Sequence, residues 1–354
     1  MKQQLTIWLG CILLLTSCVD RIELDESLSG EPLLVVDGVI TNTSEPYTVK
    51  LSYTSSSLQT YEGVELSGAE VFITDEENNR ADMTEVEAGE YVTDPFFFCG
   101  EVGKTYTLHI VTPEGKSYAS LPERMPEVPA IDSLFFELDS RPYVTSLGTI
   151  LDEWGLQFYL NTGSGDNQTG YYRWSWEETY EFIAPLTTPM QLNIPICYQS
   201  GTQTRYLNIA STQGLSRDRI ERRKINFVAK SGRMLQRRYS LLVKQYALTE
   251  RAYTFWENVQ AQQENSGSVF APPPSPIPGN MYNVNDDTEL VLGYFQASSV
   301  TEQRKFVTRS EVPPGPGGSP GGFTECIAGD ENAPDYCYDC SLLVGTTTET
   351  PSFW

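Results

Sequence analysis

A single helical segment lies among segments with the alternation of β-strands, and this feature limits the fold most. Residues 239–246 and 290–297 have the pattern of strands, and the segment between them carries apolar residues at i, i+3, i+4 and i+7. These apolar residues are Ala252, Phe255, Trp256 and Val259. Thr249 is a suitable N-cap, so the pattern predicts one helix at about 249–263. An amphipathic helix among strands must bury its apolar face against a sheet.

The first residues have the pattern of a lipoprotein signal peptide. The apolar run at 5–15 is too short to cross a bilayer, which requires about 20 apolar residues. It ends in Leu-Thr-Ser-Cys at 15–18, which resembles a bacterial lipobox. We predict a signal peptide at 1–17, lipidation of Cys18, anchoring in the membrane through that cysteine, and a tether at 18–30. The alternative is an ordinary secretory signal with a chance cysteine.

Composition favours a β-rich body and excludes one class of partner. The chain has 47 acidic and 24 basic residues, a balance that argues against binding to nucleic acid. Its many tyrosines and its 22 prolines are typical of strands joined by turns. We predict a mainly β protein, with an immunoglobulin-like sandwich at 31–125. A larger β-rich domain at 131–354 would contain the helix and a flexible Pro/Gly-rich loop at 312–322.

Residues 172–182 predict a long strand with aromatic residues on one side. That side consists of Tyr172, Trp174, Trp176, Tyr180 and Phe182. Such a row could be a stacking platform for a flat ligand. The alternative, which we favour, is a core face packed under the predicted helix, because Phe255 and Trp256 need a partner surface.

Ten of the 24 basic residues lie between Arg217 and Lys244. In so acidic a chain this cluster could contact lipopolysaccharide phosphates or an acidic partner. The alternative is a set of solvated strand faces that form ordinary ion pairs. The candidate partner contacts in this cluster are Arg222, Arg223, Lys224, Arg237 and Arg238.

The sequence contains no recognisable catalytic set. Its one histidine, His109, alternates onto the same strand face as Thr105 and Thr107, so we expect it at the surface. There is no phosphate-binding loop, dinucleotide fingerprint or zinc-protease motif. We therefore expect no catalytic residue and no cofactor, and an exported hydrolase is the least favoured class of function.

The cysteines predict disulfides formed after export. With Cys11 lost in the signal and Cys18 lipidated, five remain, so one is expected to stay free. We assign that role to Cys99 in an apolar run, as a small buried side chain. The other four, Cys197, Cys326, Cys337 and Cys340, permit three pairings. We favour Cys197–Cys340 with Cys326–Cys337. The rival is a four-thiolate zinc site built on the C-x-x-C of residues 337–340.

Several segments carry a resemblance to a known family. They include Leu-Val-Val-Asp-Gly-Val-Ile at 34–40, Tyr-Arg-Trp-Ser-Trp-Glu-Glu-Thr-Tyr-Glu-Phe at 172–182, the stretch 238–256 and the final Phe-Trp. In this order they resemble a Bacteroidetes lipoprotein family called domain of unknown function 4249. The resemblance implies an outer-membrane setting, commonly beside genes for TonB-dependent transporters, and it supplies no catalytic residues.

These inferences lead to a non-catalytic function at the outer membrane. We expect a lipid-anchored protein, on the cell surface or the periplasmic face, that assists a TonB-dependent barrel in nutrient uptake. The alternative is a structural or assembly factor of the outer-membrane envelope.

Overall fold

The computed structural model is mainly β with one α-helix, as the sequence predicted. It describes residues 32–55, 63–163, 169–186, 195–265, 275–320, 322–323, 325–330 and 332–354. The predicted signal peptide, Cys18 and the tether lie outside these ranges. Among the described residues, no helix has both the length and the apolar character to cross a membrane.

Nineteen strands make up nearly half of the described chain. They are β1 (Leu34–Ile40), β2 (Thr48–Tyr53), β3 (Val64–Glu65), β4 (Glu70–Asp75), β5 (Arg80–Glu87), β6 (Glu90–Thr93), β7 (Thr105–Val111), β8 (Ser117–Ser120), β9 (Glu123–Arg124), β10 (Ile131–Val144), β11 (Ile150–Thr162), β12 (Tyr171–Phe182), β13 (Cys197–Ser211), β14 (Ile220–Ala229), β15 (Arg238–Ala247), β16 (Met281–Asn283), β17 (Leu292–Ala297), β18 (Val300–Thr308) and β19 (Thr346–Thr347). The helix α1 spans Glu250–Asn265, and short 3-10 helices occur at Arg233–Leu235, Arg309–Glu311, Asp335–Cys337 and Cys340–Leu342.

The N-terminal strands form one continuous sheet around a core of their own. Its order is β16-β8-β7-β4-β5-β6-β2-β1-β17, with β3 on β2 and β9 on β7. Buried residues such as Val36, Val49, Ile73 and Leu108 belong to a single cluster inside it. Because β5 pairs with both β4 and β6, the strands are hydrogen-bonded into one sheet. The specific immunoglobulin-like form of this region stays a prediction.

Two strands of this first sheet come from far along the chain. β16 pairs with β8, and β17 runs parallel to β1, where Gly293 is opposite Val36. Gly293 has φ +86°, and a Cβ there would lie 1.9 Å from the carbonyl oxygen of Val36, so only glycine permits this approach. β16 and β17 lie after the predicted domain boundary near residue 131, yet both belong to the N-terminal sheet. The boundary itself stays a prediction.

The remaining strands form two sheets that pack face to face. One has the order β10-β11-β14 and the other β18-β15-β12-β13-β19. Their shared core contains Phe158 of β11, Val228 of β14, Trp174 of β12 and Tyr239 of β15. The Pro/Gly-rich segment at 312–320 follows β18, and the buried ammonium group of Lys230 donates to two of its carbonyl oxygens at 3.0 and 3.2 Å.

The helix begins as predicted, although it packs elsewhere than expected. Thr249 Oγ1 accepts the amide proton of Ala252 at 3.2 Å, which makes Thr249 the N-cap. Ala252 is buried beside Tyr294 of β17, and Trp256 is only half-buried. The helix therefore packs against the returning strand β17, and it also contacts β12 and β13, where Tyr253 meets the ring of Tyr171. The expectation that it covers the aromatic row of residues 172–182 is wrong, because that row packs against β11 on the other side of its sheet.

Candidate functional site

The predicted basic contacts on β14 are mostly occupied by partners within the chain. Arg222 forms a bidentate pair with Glu137, at 2.7 Å for both hydrogen bonds, and its guanidinium lies over the ring of Tyr159. Arg223 donates to Asn208 Oδ1 at 2.7 Å, and Lys224 Nζ lies 3.7 Å from Asp139. The hydrogen bonds from Arg222 lower the pKa of Glu137. The geometry here matches the alternative of ordinary ion pairs on a strand face.

Arg237 and Arg238 lie apart from those residues, at the start of β15 in the other sheet. They line an open cleft of about 780 Å³. We call it the arginine cleft; its wall includes Glu181, Gln236, Arg237, Arg238, Arg309 and Ser310. The structure therefore divides the predicted basic cluster into two separate groups.

The aromatic row of β12 is core. Tyr172, Trp174, Trp176, Tyr180 and Phe182 are all buried in the cluster between the two sheets. Trp174 Nε1 donates to Gln245 Oε1 at 2.9 Å, so its polar atom is satisfied inside the protein. These rings are not presented to a ligand, and the stacking-platform hypothesis does not fit their burial.

An apolar surface lies at the end of the β10–β11 hairpin. It was not predicted from the sequence. Its side chains are exposed, with Val144 at 67 %, Leu147 at 91 % and Ile150 at 69 %. Tyr143 and Leu151 are also exposed. We call these five residues the hairpin tip. Single exposed apolar residues are common, but five of them lie together at one end of this hairpin.

The strand register distributes the hairpin tip over both faces of the hairpin. Tyr143 is opposite Leu151, and Val144 is opposite Ile150, so each pair shares one face. The turn is closed by hydrogen bonds from the Thr145 amide to the Thr149 carbonyl at 2.9 Å and from the Thr149 amide to Thr145 Oγ1 at 3.1 Å. The tip is thus a structured projection.

A polar pair marks the base of the hairpin tip. Arg141 Nε donates to Glu153 Oε2 at 2.8 Å across the hairpin, and its guanidinium lies 4.3 Å from the centroid of the Phe227 ring. An apolar centre with a polar rim is the usual anatomy of a protein interface.

His109 has no catalytic neighbours among the described residues. Its Nε2 is 3.0 Å from Thr74 Oγ1, and its ring stacks on Phe72 with centroids 4.7 Å apart. Burial lowers the pKa of His109, and the nearby Arg80 lowers it further. No described carboxylate orients the ring, so the contacts of His109 are those of a packed, half-buried side chain.

The disulfides are those that the sequence analysis favoured. Cys197 is bonded to Cys340 and Cys326 to Cys337. Sulfurs in S–S bonds are not thiolate ligands, so the four-thiolate zinc site does not fit. Cys99 is free, as expected, but its prediction as a buried residue is wrong, because it lies exposed in the loop that follows β6.

Residues 19–304 of the 354-residue chain match the family described as "Domain of unknown function (DUF4249)". The chain belongs to the DUF4249 family. No curated protein matches the chain.

The DUF4249 match includes the hairpin tip, Arg237 and Arg238 of the arginine cleft, and helix α1. It ends at residue 304, before Arg309 and before three of the four disulfide cysteines. The family description names no reaction, ligand or partner. A function for this DUF4249 protein must therefore be argued from its own surfaces.

Proposed function

We propose that this protein is a lipid-anchored, non-catalytic accessory protein of the outer membrane that acts by docking onto another protein through its hairpin tip. The partner that we propose is a TonB-dependent barrel, whose nutrient uptake the protein would assist. The observation that carries the proposal is the exposed, structured and apolar hairpin tip.

The hairpin tip can supply enough free energy for docking. Fully burying a Val, Leu or Ile side chain is favourable by about 1.5–3 kcal/mol. Because Val144 and Ile150 are already about a third buried, these two and Leu147 together would contribute about 3–7 kcal/mol before the entropic cost of association. A shared membrane raises the local concentration of both proteins, so contacts of this size are sufficient.

Charge favours a protein over a lipid surface as the occupant. The chain carries a net charge of -23, and exposed Asp152 stands beside the hairpin tip. Anionic lipid headgroups would repel such a protein. A predicted tether at 18–30 would reach at most about 45 Å when extended. Such a tether would keep the body of the protein close to the bilayer, where the rim of a barrel can expose an apolar surface.

The hairpin tip replaces the basic residues as the preferred contact. Arg222 and Lys224 are engaged with Glu137 and Asp139, so a partner would have to displace carboxylates that are already in place. Exposed ion pairs of this kind contribute little free energy. The hairpin tip requires no such exchange.

Co-purification from detergent-solubilised membranes tests the proposal. The wild-type protein should recover a barrel protein, and Leu147→Asp with Ile150→Asp should lose it, because a charge would be buried in the contact. Leu215→Asp is the matched control, since Leu215 is an exposed apolar residue in a loop outside the hairpin. Recovery of assembly machinery in place of a transporter would support the structural alternative. Equal recovery by the hairpin variant would exclude the hairpin tip as the contact.

A further inference from the structure

We propose that the arginine cleft binds a phosphate group. The cleft lies where three strands of the five-stranded sheet begin or end. Glu181 comes from the end of β12, Gln236 and Arg238 from the start of β15, and Arg309 from the residues after β18. This surface is separate from the hairpin tip, so the inference stands independently of the docking function.

The wall of the arginine cleft is built from fixed hydrogen bonds. The amide of Ile183 donates to Gln236 Oε1 at 2.7 Å, and Gln236 Nε2 donates back to the Ile183 carbonyl at 3.1 Å. The amide of Arg309 donates to the Arg237 carbonyl at 2.8 Å. A capping box between Thr308 and Glu311 closes the following turn. The backbone positions of Arg238 and Arg309 are therefore set before any ligand arrives.

Positive charge exceeds negative charge in the cleft. Glu181 is the one carboxylate among the described residues of its wall, and it accepts hydrogen bonds from Arg237 Nε and, at 3.1 Å, from Trp354 Nε1. Arg238 packs its guanidinium against the rings of Phe306 and Trp354, 4.2 and 5.0 Å from their centroids. The two rings cover the face of the guanidinium. Its N–H groups lie in the guanidinium plane and stay available to a ligand.

Two guanidinium groups of the cleft are open to a ligand. Within the part of the chain that the structure describes, neither Arg238 nor Arg309 forms a salt bridge or a side-chain hydrogen bond. In a protein with a net charge of -23, two such arginines in one concave site indicate an anion as the ligand. Ser310 lies on the same wall, but its hydroxyl is engaged with Thr308 Oγ1 at 3.0 Å, so the two guanidinium groups are the donors open to a ligand.

The arrangement of the donors favours phosphate over carboxylate. The guanidinium groups of Arg238 and Arg309 come from two different segments of the wall, at the start of β15 and beyond the end of β18. A phosphate presents three or more acceptor oxygens in a tetrahedron and can meet donors from several directions, whereas a carboxylate is planar with two oxygens. The phosphate could belong to a free ion or to a lipid headgroup, and the two sources require separate measurements.

Calorimetric titration of the full mature protein in detergent tests the inference. The probes are inorganic phosphate, short-chain phosphatidic acid as a soluble lipid phosphate, and succinate as a dicarboxylate. Phosphate should bind, and Arg309→Gln should weaken it about tenfold, because one charge-assisted hydrogen bond is lost. Arg217→Gln is the matched control, an exposed arginine outside the cleft, and should bind as the wild type does.

Glu181→Gln should change the affinity for phosphate in the opposite direction. Glutamine can still accept from Trp354, but it releases Arg237 from its ion pair, so phosphate should bind more tightly. Tighter binding of phosphatidic acid than of inorganic phosphate would identify the lipid as the source, and the reverse would identify the free ion. Absence of phosphate binding, equal binding by Arg309→Gln, or preference for succinate would overturn the inference.

Discussion

The buried carboxylate of Glu123 accepts a hydrogen bond from the hydroxyl of Tyr294, 171 residues later in the chain. Glu123 belongs to β9 and Tyr294 to β17, beside α1. The N-cap Thr249 donates to the same carboxylate at 2.9 Å, and Asn280 Nδ2 lies 3.4 Å from it. One acidic group thus connects the first sheet, the start of the helix and the returning strand.

The charge of Glu123 should make stability depend on pH. Burial raises the pKa of Glu123, while hydrogen bonds from Tyr294 and Thr249 act against that rise. The folded state therefore keeps the carboxyl group of Glu123 protonated to a higher pH than the unfolded state does. The free energy of unfolding that protonated Glu123 contributes is fully present below the ordinary pKa of glutamate. It is lost as the pH rises through the pKa that Glu123 has in the folded state. Glu123→Gln should lack this dependence in denaturant titrations across that range. An unchanged pH profile in Glu123→Gln would contradict the assignment.

Removal of the Glu123 carboxylate should be costly. Glu123→Ala leaves the buried hydroxyl of Tyr294 and the half-buried hydroxyl of Thr249 without their acceptor. Such a loss costs about 1–3 kcal/mol for a buried group and less for one that water can reach. We expect a loss of about 2–4 kcal/mol in the free energy of unfolding, with Glu123→Gln retaining most of the stability. Equal losses in the two variants would show that the hydrogen bonds are not what matters.

Two tryptophans should differ in their contribution to stability. Trp174 is 2 % exposed in the core between the sheets, so Trp174→Ala should cost about 3–5 kcal/mol. Trp256 is half-buried and bonded to Gln296 at 2.8 Å, so Trp256→Ala should cost about 2 kcal/mol, because part of its surface is already in water. Urea midpoints compare the two, and a larger loss for Trp256→Ala would contradict this ranking.

The local elements could be predicted from sequence because their signals are local. Helix α1 follows from the spacing of Ala252, Phe255 and Trp256, and β15 and β17 follow from their apolar character. The partners of these elements could not be predicted. Alternation of apolar and polar residues shows that a strand has one buried face. It does not specify that β17 lies parallel to β1.

The candidate sites show the same limit. The five basic residues were visible in the sequence, but which of them are neutralised depends on carboxylates from other strands, as Glu137 of β10 shows for Arg222. The hairpin tip did leave a signal that was missed. Val144, Leu147 and Ile150 surround the turn glycine Gly148, where polar residues are usual. Apolar side chains at a turn are a sign of an exposed contact surface.

The two disulfides should stabilise the protein unequally. Cys197–Cys340 closes a separation of 143 residues and Cys326–Cys337 one of 11. Loop-closure entropy alone predicts contributions of about 5 and about 3 kcal/mol. The double variant Cys197→Ser, Cys340→Ser should therefore unfold at lower denaturant than Cys326→Ser, Cys337→Ser. Peptide mapping without reductant should recover both linked peptides, and any other pairing would contradict the structure.

Lipidation of Cys18 remains a prediction, because this residue lies outside the described ranges. Cys18→Ala should leave the signal uncleaved or release the protein from the membrane fraction, since the acyl chains provide the anchor. Cell fractionation and mass spectrometry of the N-terminus measure both outcomes. Normal processing with full membrane retention in the variant would contradict the lipobox.

Site-specific photo-crosslinking at the hairpin tip tests the central claim most directly. A photoreactive amino acid replaces Leu147 in living cells, and the same residue replaces Leu215 as an exposed control outside the hairpin. The docking account predicts a crosslink from position 147 to an outer-membrane barrel protein and none from position 215. No crosslink from position 147, or the same crosslinks from both positions, would contradict it.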